Sequence, residues 1–584
     1  MTSVCAKRTR KEWEFEMRHF LHGDKYYIAM LLILLAVYPI FFRLDFSKSS
    51  YELFDIIYMI PTYSWFYLVA VCLFLSLYVL MREKIGFIHV LATIFLIWGL
   101  YVISQFPSIV NGDIFVHEGF TKRLIFHGST QAVEWYPKWW PGAFLLEAIV
   151  TNVTGLDVID QNILLTYTNL VTLATALYLL AKFILGEKWA GLSTILYFVT
   201  NAHDFHWMGR EHFVPQSLAF TCYLFALYLL LKMQRAQMSK KLYIVLILTT
   251  ISSIIISHGF TSYMLLFTLA GIMVIQKMRN RPLGVNLNLF LGGLVLWLGW
   301  WIFNSFSTFE RAVNYLRYSL GSLVGSQVVK LAAPLVEMPM PLLGQILRDY
   351  YFKPMLLIVG FVSLIALFKE RNSRKVSSYS GILIGTIAAS FIALLTSTEA
   401  IEIQLSEMLV FLSFPSSYLA SRLFFRYSRH VKVLACIIIC LLPLTVGTMF
   451  TPACEYLQCT HSWEVYAVKF LVNRFPKNLT KATDIYTSHL YAFFDLNYTP
   501  GGILLTDYKL NYTYILEENP TFFEGDVIVR SFRQEIVYNH YLKSLEERRT
   551  FWNKVDSNLV YVKNKVCDNG LTQVYVNSSR DGIW

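Results

Sequence analysis

Apolar stretches of membrane-spanning length recur along this chain, and they restrict its fold more than any other feature. A spanning helix needs roughly 17 to 25 mostly apolar residues, and about thirteen stretches approach that criterion. The chain has 584 residues, of which 55% are hydrophobic and 15% charged, whereas soluble proteins carry about 25% charged residues. The chain is therefore predicted to be an α-helical polytopic membrane protein. The predicted spans are 26–43, 62–81, 86–104, 161–181, 189–201 (the weakest), 213–231, 242–257, 261–276, 286–304, 354–368, 379–396, 406–421 and 431–450.

Basic residues gather in alternate loops, and this predicts the topology. Lys240 and Lys241 lie in one basic loop and Arg374 and Lys375 in another, whereas the loop 397–405 is acidic only. Cytosolic loops carry the excess of Lys and Arg, so the net charge of +11 indicates topology, and no nucleic-acid partner is expected. The pattern holds only if the segment 139–154 does not cross the membrane. That segment is predicted to be interfacial or re-entrant.

This topology divides the chain into three predicted parts: a cytosolic segment 1–25, a transmembrane domain 26–450 with an external loop 105–160, and an external soluble domain 451–584. The protein is expected in the cell membrane, with its C-terminal end extracellular. The external domain is predicted to be a small α/β domain, and a Cys454–Cys459 disulfide is expected in it, with Cys459–Cys567 as the alternative. Its predicted strands lie near Ile503–Leu505, Val527–Val529, Leu559–Val562 and Gln573–Val576, and its predicted helices at 461–474 and 536–552.

The external loop carries ionisable residues close to aromatic ones. Asp113 and His117 are four residues apart and share a face if the segment is helical, and Glu118 follows directly. An acid near the membrane surface can act as a general base. Trp139 and Trp140 suit the membrane–water interface. For each of these ionisable residues, solvation of an exterior loop is an alternative with the same weight as a catalytic role.

A second external loop, 203–212, contains three His, two acids and one Arg. His203, Asp204 and His206 could bind a divalent metal ion, although their spacing matches no strict metal motif and a loop without metal is the favoured alternative. Arg210, next to Glu211, could hold a phosphate. A further candidate, His258, lies with Thr261 between two predicted spans. For it, helix capping is favoured over a binding role.

Several short stretches together resemble the GT-C superfamily of membrane glycosyltransferases, which use polyprenyl-phosphate-linked sugars. Asp113 matches the acid of the first external loop in that superfamily. The other matching stretches are Tyr136–Gly142 followed by Thr154-Gly155-Leu156, Val214–Ala219, Ser257–Thr261 and, near the C-terminal end, Asn558–Tyr561 with Asp568–Gly570 and Val574-Tyr575. There are departures, since two spans precede the usual first helix. A Trp-Trp-Asp signature is absent because Pro141 follows Trp140, so transfer of a whole oligosaccharide to Asn is not supported.

The resemblance implies a hexosyl- or pentosyltransferase that lies in the bilayer and moves a sugar from a polyprenyl-phosphate donor to a protein or glycan acceptor at the outer face. Two alternatives stay open, a transporter or flippase and a non-catalytic scaffold. Convergence of the candidate residues on one outward cavity would favour the enzyme, and a pathway open to both sides would favour transport. The residues implied are Asp113 and Glu118 as catalytic groups, and His117, Trp139, Trp140, Arg210, Glu211 and His258 as substrate-binding groups.

Overall fold

The computed structural model of the protein describes part of the chain in detail. The described residues are 86–94, 109–130, 136–200, 213–233, 240–278, 285–306, 310, 382, 385, 410–411, 413–418, 459–474, 481–484, 503–506, 527–531, 563–568 and 572–577.

Within these residues the apolar stretches form helices. The helices are α1 Phe87–Ile94, α2 Gly112–His127, α3 Tyr136–Trp139, α4 Gly142–Thr154, α5 Val158–Leu185, α6 Glu187–Thr200, α7 Pro215–Met233, α8 Lys240–Ser257, α9 Gly259–Met278, α10 Leu287–Phe303 and α11 Ser462–Arg474.

Four described helices are long and apolar enough to cross a membrane: α5, α7, α8 and α9, with 28, 19, 18 and 20 residues. Helices α5, α8 and α9 each contain a predicted span, and α7 covers the predicted span 213–231 except for its first two residues. The predicted spans 189–201 and 286–304 form the shorter helices α6 and α10, of 14 and 17 residues. The first part of the predicted span 86–104 forms α1. The other predicted spans lie wholly or largely outside the described residues, so the expected number of thirteen stays a prediction.

Helix α4 has 13 residues, which corresponds to roughly 20 Å at about 1.5 Å per residue. A bilayer core is about 30 Å thick, so α4 is too short to cross it as a straight helix. This length agrees with the prediction that 139–154 does not span. Gly155 ends α4 with a φ of 70°, and Asp157 starts α5 by accepting a hydrogen bond from the Ile159 N–H at 3.0 Å. A left-handed backbone conformation at the end of a helix favours glycine.

Helix α4 lies at the centre of the described helices, since it packs against α2, α5, α7 and α8. Phe120 and Leu124 of α2 form a buried cluster with Phe144 and Ala148 of α4. Gly142, at the first position of α4, lies against the end of α8, where an added Cβ would collide with the Ser257 side chain. The fold thus places α2 and α4, which the sequence predicts to be external, against the candidate spanning helices.

Strand β1, Ile109–Asn111, leads directly into α2 and pairs antiparallel with β2, Cys459–His461. Helix α11 follows β2 and confirms the helix predicted at 461–474. Residues far apart in the sequence therefore meet at the start of α2.

A five-stranded mixed sheet follows in the C-terminal part, in the order β4-β3-β5-β7-β6. Three predicted strands fall within β4, β5 and β7. The predicted strand at 559–562 lies outside the described residues, and β6 is the strand that pairs with β7 on the side opposite β5. The β6 sequence KNKVCD is mostly polar, as suits an edge strand, so hydrophobicity did not indicate it. The predicted helix 536–552 lies outside the described residues. Both predicted disulfides stay predictions, because Cys454 is not described and only the backbone of Cys459 and Cys567 is. The strands are β3 Lys481–Asp484, β4 Ile503–Thr506, β5 Val527–Ser531, β6 Lys563–Asp568 and β7 Thr572–Asn577.

Candidate active site

Helix α2 carries the acidic and imidazole residues of the first external loop. It begins at Gly112 and covers Asp113, His117 and Glu118. Asp113 and His117 are four positions apart in this helix, so the prediction that they share a helix face is confirmed by the backbone. The side chain of Asp113 lies outside the described part of the structure. Its backbone position is the second residue of α2, directly after β1.

Glu118 points into the protein and has no exposed surface. The neighbouring α4 covers this part of α2, and the His117 ring stacks on Phe144 with 5.6 Å between ring centroids. The interpretation that these residues solvate an exterior loop is therefore wrong for Glu118. The packing of α2 on α4 buries it, which the sequence of α2 alone did not indicate.

A second buried carboxyl group, Glu147 of α4, faces the same interior and was not identified from the sequence. It is 2% exposed. Thr121 Oγ1 donates a hydrogen bond to Glu147 Oε2 at 2.6 Å, and Asn162 Nδ2 donates to Glu147 Oε1 at 2.8 Å. The sequence did carry a signal for Glu147, which is the one acid in an otherwise mostly apolar helix. Ionisable residues at membrane depth suggest function by default.

Burial raises the pKa of Glu147 to about 7, although the hydrogen bonds from Thr121 and Asn162 favour the ionised form and oppose the shift. Burial and the nearby Glu147 also raise the pKa of Glu118 well above its usual range, while Asn162 and Lys122 oppose that rise. No hydrogen bond of ordinary geometry reaches either Glu118 oxygen from the described part of the chain. The two carboxyl groups thus carry less than two negative charges at neutral pH, because ionising both in one buried site is unfavourable.

Lys122 lies next to this pair of acids. Burial lowers the pKa of its ammonium group, while Asp157 and Glu118 raise it and Lys469 of α11 lowers it further. The charge of Lys122 partly balances the carboxyl groups, and the influence of Lys469 shows that α11 lies near this site.

The hydrogen bonds of Asn162 continue from the carboxyl groups to the start of α7. Asn162 Oδ1 accepts from the Phe213 N–H at 2.8 Å, and Asn162 Nδ2 donates to the Phe213 carbonyl at 3.2 Å. Phe213 is the first described residue after the loop 201–212. Asn162 therefore connects the buried carboxyl of α4 with the end of that loop.

The residues predicted to bind metal or phosphate, His203, Asp204, His206, Arg210 and Glu211, lie outside the described residues, so their roles remain predictions. Within the described ranges, no group of three or more His, Cys, Asp or Glu side chains is arranged to hold a metal ion.

The two predicted interfacial tryptophans contact α10. Trp300 Nε1 donates to the Trp139 carbonyl at 2.9 Å. The Trp140 ring is 6% exposed and meets the Trp301 ring edge to face, with centroids 6.3 Å apart. These contacts hold the segment before α4 against α10. A role in substrate binding remains a prediction for both residues.

His258 occupies the junction between α8 and α9 and is buried. Its Nδ1 lies 2.9 Å from Thr261 Oγ1 and accepts from the Thr261 N–H at 3.3 Å. The favoured interpretation of His258 as a helix cap is thus confirmed. Burial lowers its pKa to about 3, so the ring is neutral at pH 7, and because Nδ1 accepts a hydrogen bond, Nε2 carries the proton.

No protein-family model matches the chain, and no curated protein matches it. Among solved structures, the apo oligosaccharyltransferase of Archaeoglobus fulgidus aligns over 89% of this chain and 75% of its own, with 11% identity and a TM-score of 0.46. ArnT from Cupriavidus metallidurans bound to undecaprenyl phosphate aligns over 89% of this chain and 99% of its own, with 12% identity and a TM-score of 0.46. The oligosaccharyltransferase is also known in complex with an inhibitory peptide and a dolichol-phosphate, with the same identity, coverage and TM-score as the apo form.

These neighbours are an oligosaccharyltransferase and ArnT, and both align over most of the present chain. With identities of 11% and 12% and TM-scores of 0.46, this likeness assigns no residue role, substrate or activity to the present chain.

Proposed function

We propose that the protein is a membrane glycosyltransferase that moves a sugar from a polyprenyl-phosphate donor to a protein or glycan acceptor at the outer face of the membrane. The observation that carries the proposal is the placement of α2. This helix holds Asp113 near its first turn and buries Glu118 against α4, on the ends of the candidate spanning helices. A site so placed is near the depth where the phosphate and sugar of a lipid carrier lie.

In the proposed reaction, an acceptor hydroxyl or amide attacks the anomeric carbon of the donor sugar. The bond between that carbon and the phosphate oxygen breaks, and polyprenyl phosphate leaves with the bonding electrons. Asp113 takes the acceptor proton as the general base. Arg210 binds the leaving phosphate and stabilises its charge, because a positioned cation favours the transition state in which that charge develops.

Glu118 is the second candidate for the base. It is fully buried, next to Glu147. Burial against α4 leaves Glu118 less able than a residue at the start of α2 to reach an acceptor, and burial also raises its pKa. The His117 ring stacks on Phe144 of α4. In this proposal the contact orients the exposed side of α2. A divalent metal at His203, Asp204 and His206 is a separate prediction, and no step above depends on it.

The topology belongs to the same proposal. The N-terminal segment would be cytosolic and residues 451–584 external, on the side of the site. The pairing of β1 with β2 supports this arrangement, because it joins the start of α2 to the beginning of the C-terminal part, so the two must lie on one side of the membrane.

The test uses purified protein in liposomes that contain an undecaprenyl- or dolichyl-phosphate-linked, radiolabelled hexose or pentose. Cleavage is measured as release of polyprenyl phosphate, and labelled lipid is assayed in both leaflets. Cleavage by the wild type that is lost in Asp113→Asn and kept in Asp160→Asn supports the proposal, because Asp160 is an exposed acid at the start of α5. Movement of intact donor between leaflets without cleavage would instead identify a flippase. An inert wild type across the donors would favour the scaffold.

A further inference from the structure

Two buried carboxyl groups meet where α2 packs on α4. Thr121 Oγ1 of α2 donates a hydrogen bond to Glu147 Oε2 of α4 at 2.6 Å. Glu118 lies three residues before Thr121 in α2, so the two side chains share a helix face. Glu118 has no exposed surface and Glu147 is 2% exposed. The packing of α2 on α4 therefore brings the two carboxyl groups close together and keeps water from both.

The hydrogen-bond donors in this contact go to Glu147. Asn162 Oδ1 of α5 accepts from the Phe213 N–H at 2.8 Å, and this bond orients the amide so that its nitrogen lies toward the acids. Both hydrogens of that nitrogen are used, one by Glu147 Oε1 at 2.8 Å and one by the Phe213 carbonyl at 3.2 Å. Glu147 thus accepts one hydrogen bond on each oxygen, which favours the ionised form of its carboxyl group.

Glu118 has no comparable donors. Among the described residues, no hydrogen bond of ordinary geometry reaches either of its oxygens. A buried carboxylate without donors is strongly disfavoured, whereas a protonated carboxyl group needs only an acceptor. The donor nitrogen of Asn162 that points toward the acids also disfavours a metal cation between them. Hydrogen bonding therefore favours the negative charge on Glu147 and a proton on Glu118.

We propose that a proton held by Glu118 keeps α2 packed on α4, and that loss of this proton releases α2 from α4. With the proton in place, the contact contains one negative charge, which has its donors. Without it, two negative charges share a buried contact that offers no further donors. They can be hydrated only if the two helices move apart. We refer to this arrangement as the Glu118 switch. It does not rest on the proposed transfer reaction, because neither carboxyl group has to contact a substrate.

The charges around Glu118 determine the direction in which the switch responds to pH. Burial and Glu147 raise the pKa of Glu118 well above its usual range. Asp157, at the start of α5, adds to this rise, while Asn162 and Lys122 oppose it. A raised pKa means that the proton is kept to higher pH. Helix α2 should therefore be packed on α4 at neutral pH and released as the pH becomes alkaline.

Lys122 contributes a second effect in the same direction. Burial lowers the pKa of its ammonium group and Lys469 of α11 lowers it further, so alkaline pH also removes a charge that balances the carboxylates. Replacing Glu118 alone separates the two effects, because Lys122 still titrates. The described titratable groups of α7 begin at Cys222, two turns into that helix. Other titratable or charged groups on the packed elements are His117 and Arg123 of α2, Asp160 of α5 and His258 after α8.

The test measures the distance between α2 and α4 in the full-length protein. Phe126 of α2 and Ile149 of α4 are 63% and 59% exposed, so nitroxide labels at Phe126→Cys and Ile149→Cys in a cysteine-free background should leave the contact intact. Electron paramagnetic resonance in detergent gives the distance distribution from pH 6 to pH 10. We expect a longer population at alkaline pH. Its ratio to the shorter population should rise by about tenfold per pH unit above the pKa of Glu118, because one proton is released.

Two variants should abolish this response. Glu118→Gln keeps the shape of the side chain but cannot ionise, so the distribution seen at pH 6 should persist to pH 10. Glu147→Gln should also keep the short distance, because only one negative charge can form and the introduced amide can donate to it. The control Asp160→Asn removes an exposed acid of α5 and should respond like the wild type.

A reference pair of labels, Leu242→Cys on α8 with Leu291→Cys on α10, reports on the rest of the described helices. Both positions are exposed, and their distance should not change with pH. A wild-type distance between α2 and α4 that stays constant to pH 10 would overturn the Glu118 switch. An equal lengthening in Glu118→Gln would also overturn it. So would a simultaneous lengthening of the reference pair, since alkaline pH would then loosen the fold in general.

Discussion

The indole ring of Trp140 lies against Gly259 so closely that a Cβ atom at Gly259 would be 2.6 Å from the ring. Gly259 is the first residue of α9, and Trp140 directly precedes the Pro141–Gly142 start of α4. The absence of a side chain at Gly259 is therefore what allows the external-loop segment to rest on the junction between α8 and α9. Gly142 makes a similar close approach to the side chain of Ser257, the last residue of α8.

Gly259→Ala should destabilise the protein, because the ring of Trp140 is buried and has little room to move. Overpacking of this kind costs about 1–3 kcal/mol. The measurement is the thermal unfolding midpoint in detergent. The control is Gly299→Ala in α10, where an added Cβ would meet nothing within 4 Å and alanine should stabilise the helix slightly. An equal midpoint for Gly259→Ala and the wild type would mean that Trp140 is not held by this contact.

The buried carboxyl pair should make stability depend on pH. Since burial raises the pKa of Glu147 from 4.5 to about 7, the folded protein binds this proton more tightly than the unfolded chain does. This contribution is fully present below about pH 4.5 and is lost as the pH rises through about 7. Its size is on the order of 3 kcal/mol. Glu118 acts in the same direction, because its pKa is raised as well.

Glu147→Gln should therefore flatten the fall of the unfolding midpoint between pH 5 and pH 8. Glu187→Gln, at an exposed acid paired with Lys182 at 3.2 Å, should leave the wild-type slope in place. The measurement is a series of unfolding midpoints across that pH range for the three proteins. A wild-type midpoint that rises with pH in this window would contradict the assignment of a raised pKa.

Part of the site follows from the sequence because its signals are local. The four-residue spacing of Asp113 and His117 indicates a shared helix face, and Pro141-Gly142 indicates where α4 begins. The position of Glu147 relative to its partners does not follow in the same way. Its hydrogen-bond donors Thr121 and Asn162 are 26 and 15 residues away.

The contacts that the sequence does not indicate come from packing of α4 on several helices at once. Asn162 lies in the mostly apolar α5, and its bond to Phe213 depends on how α5 meets the segment before α7. Likewise, Trp140 suits a membrane interface by composition, but its place over Gly259 depends on the junction of α8 and α9. Such long-range contacts have no period or spacing from which they can be predicted.

The predicted topology is tested by the accessibility of single cysteines. In a cysteine-free background, Pro500→Cys and His540→Cys should react with an impermeant maleimide on intact cells, because residues 451–584 are expected to be external. Lys240→Cys, at the exposed start of α8, should react only after permeabilisation, as a predicted cytosolic position. The reverse pattern would place the loop with Asp113 on the cytosolic side and contradict the proposed site.

Arg210 is predicted to bind the donor phosphate through a planar guanidinium that can donate two parallel hydrogen bonds. Arg210→Lys should therefore weaken binding although it keeps the charge, and Arg210→Ala should weaken it by about tenfold or more, as expected for a charged hydrogen bond. The measurement is the Kd for undecaprenyl phosphate by native mass spectrometry. Lys182→Ala, in a predicted cytosolic loop, is the control. Unchanged affinity in Arg210→Ala would remove Arg210 from the site.

The assignment of the general base rests on the different places of Asp113 and Glu118 in α2. Asp113 is the second residue of the helix, where a carboxylate is favoured by the helix N-terminus. Glu118 is fully buried, and its pKa is raised well above the usual range. A base must be ionised and must reach the acceptor, so Asp113 is the expected base.

Asp113→Asn keeps the shape of the side chain but removes the proton acceptor, and transfer should fall by about 10²- to 10⁴-fold, the usual contribution of general base catalysis. The unfolding midpoint should change little, because a carboxylate in the first turn contributes about 1 kcal/mol or less. Glu118→Gln, the matched variant, should retain most transfer, since Glu118 is buried against α4 and Gln has nearly the same shape. The measurement is the single-turnover rate of sugar transfer at saturating donor. A nearly normal rate in Asp113→Asn with an inactive Glu118→Gln would make Glu118 the base and shift the match to the superfamily's loop acid by five residues. Full activity in both variants would exclude an acid on α2 as the base, and the enzymatic function would then lose the observation that carries it.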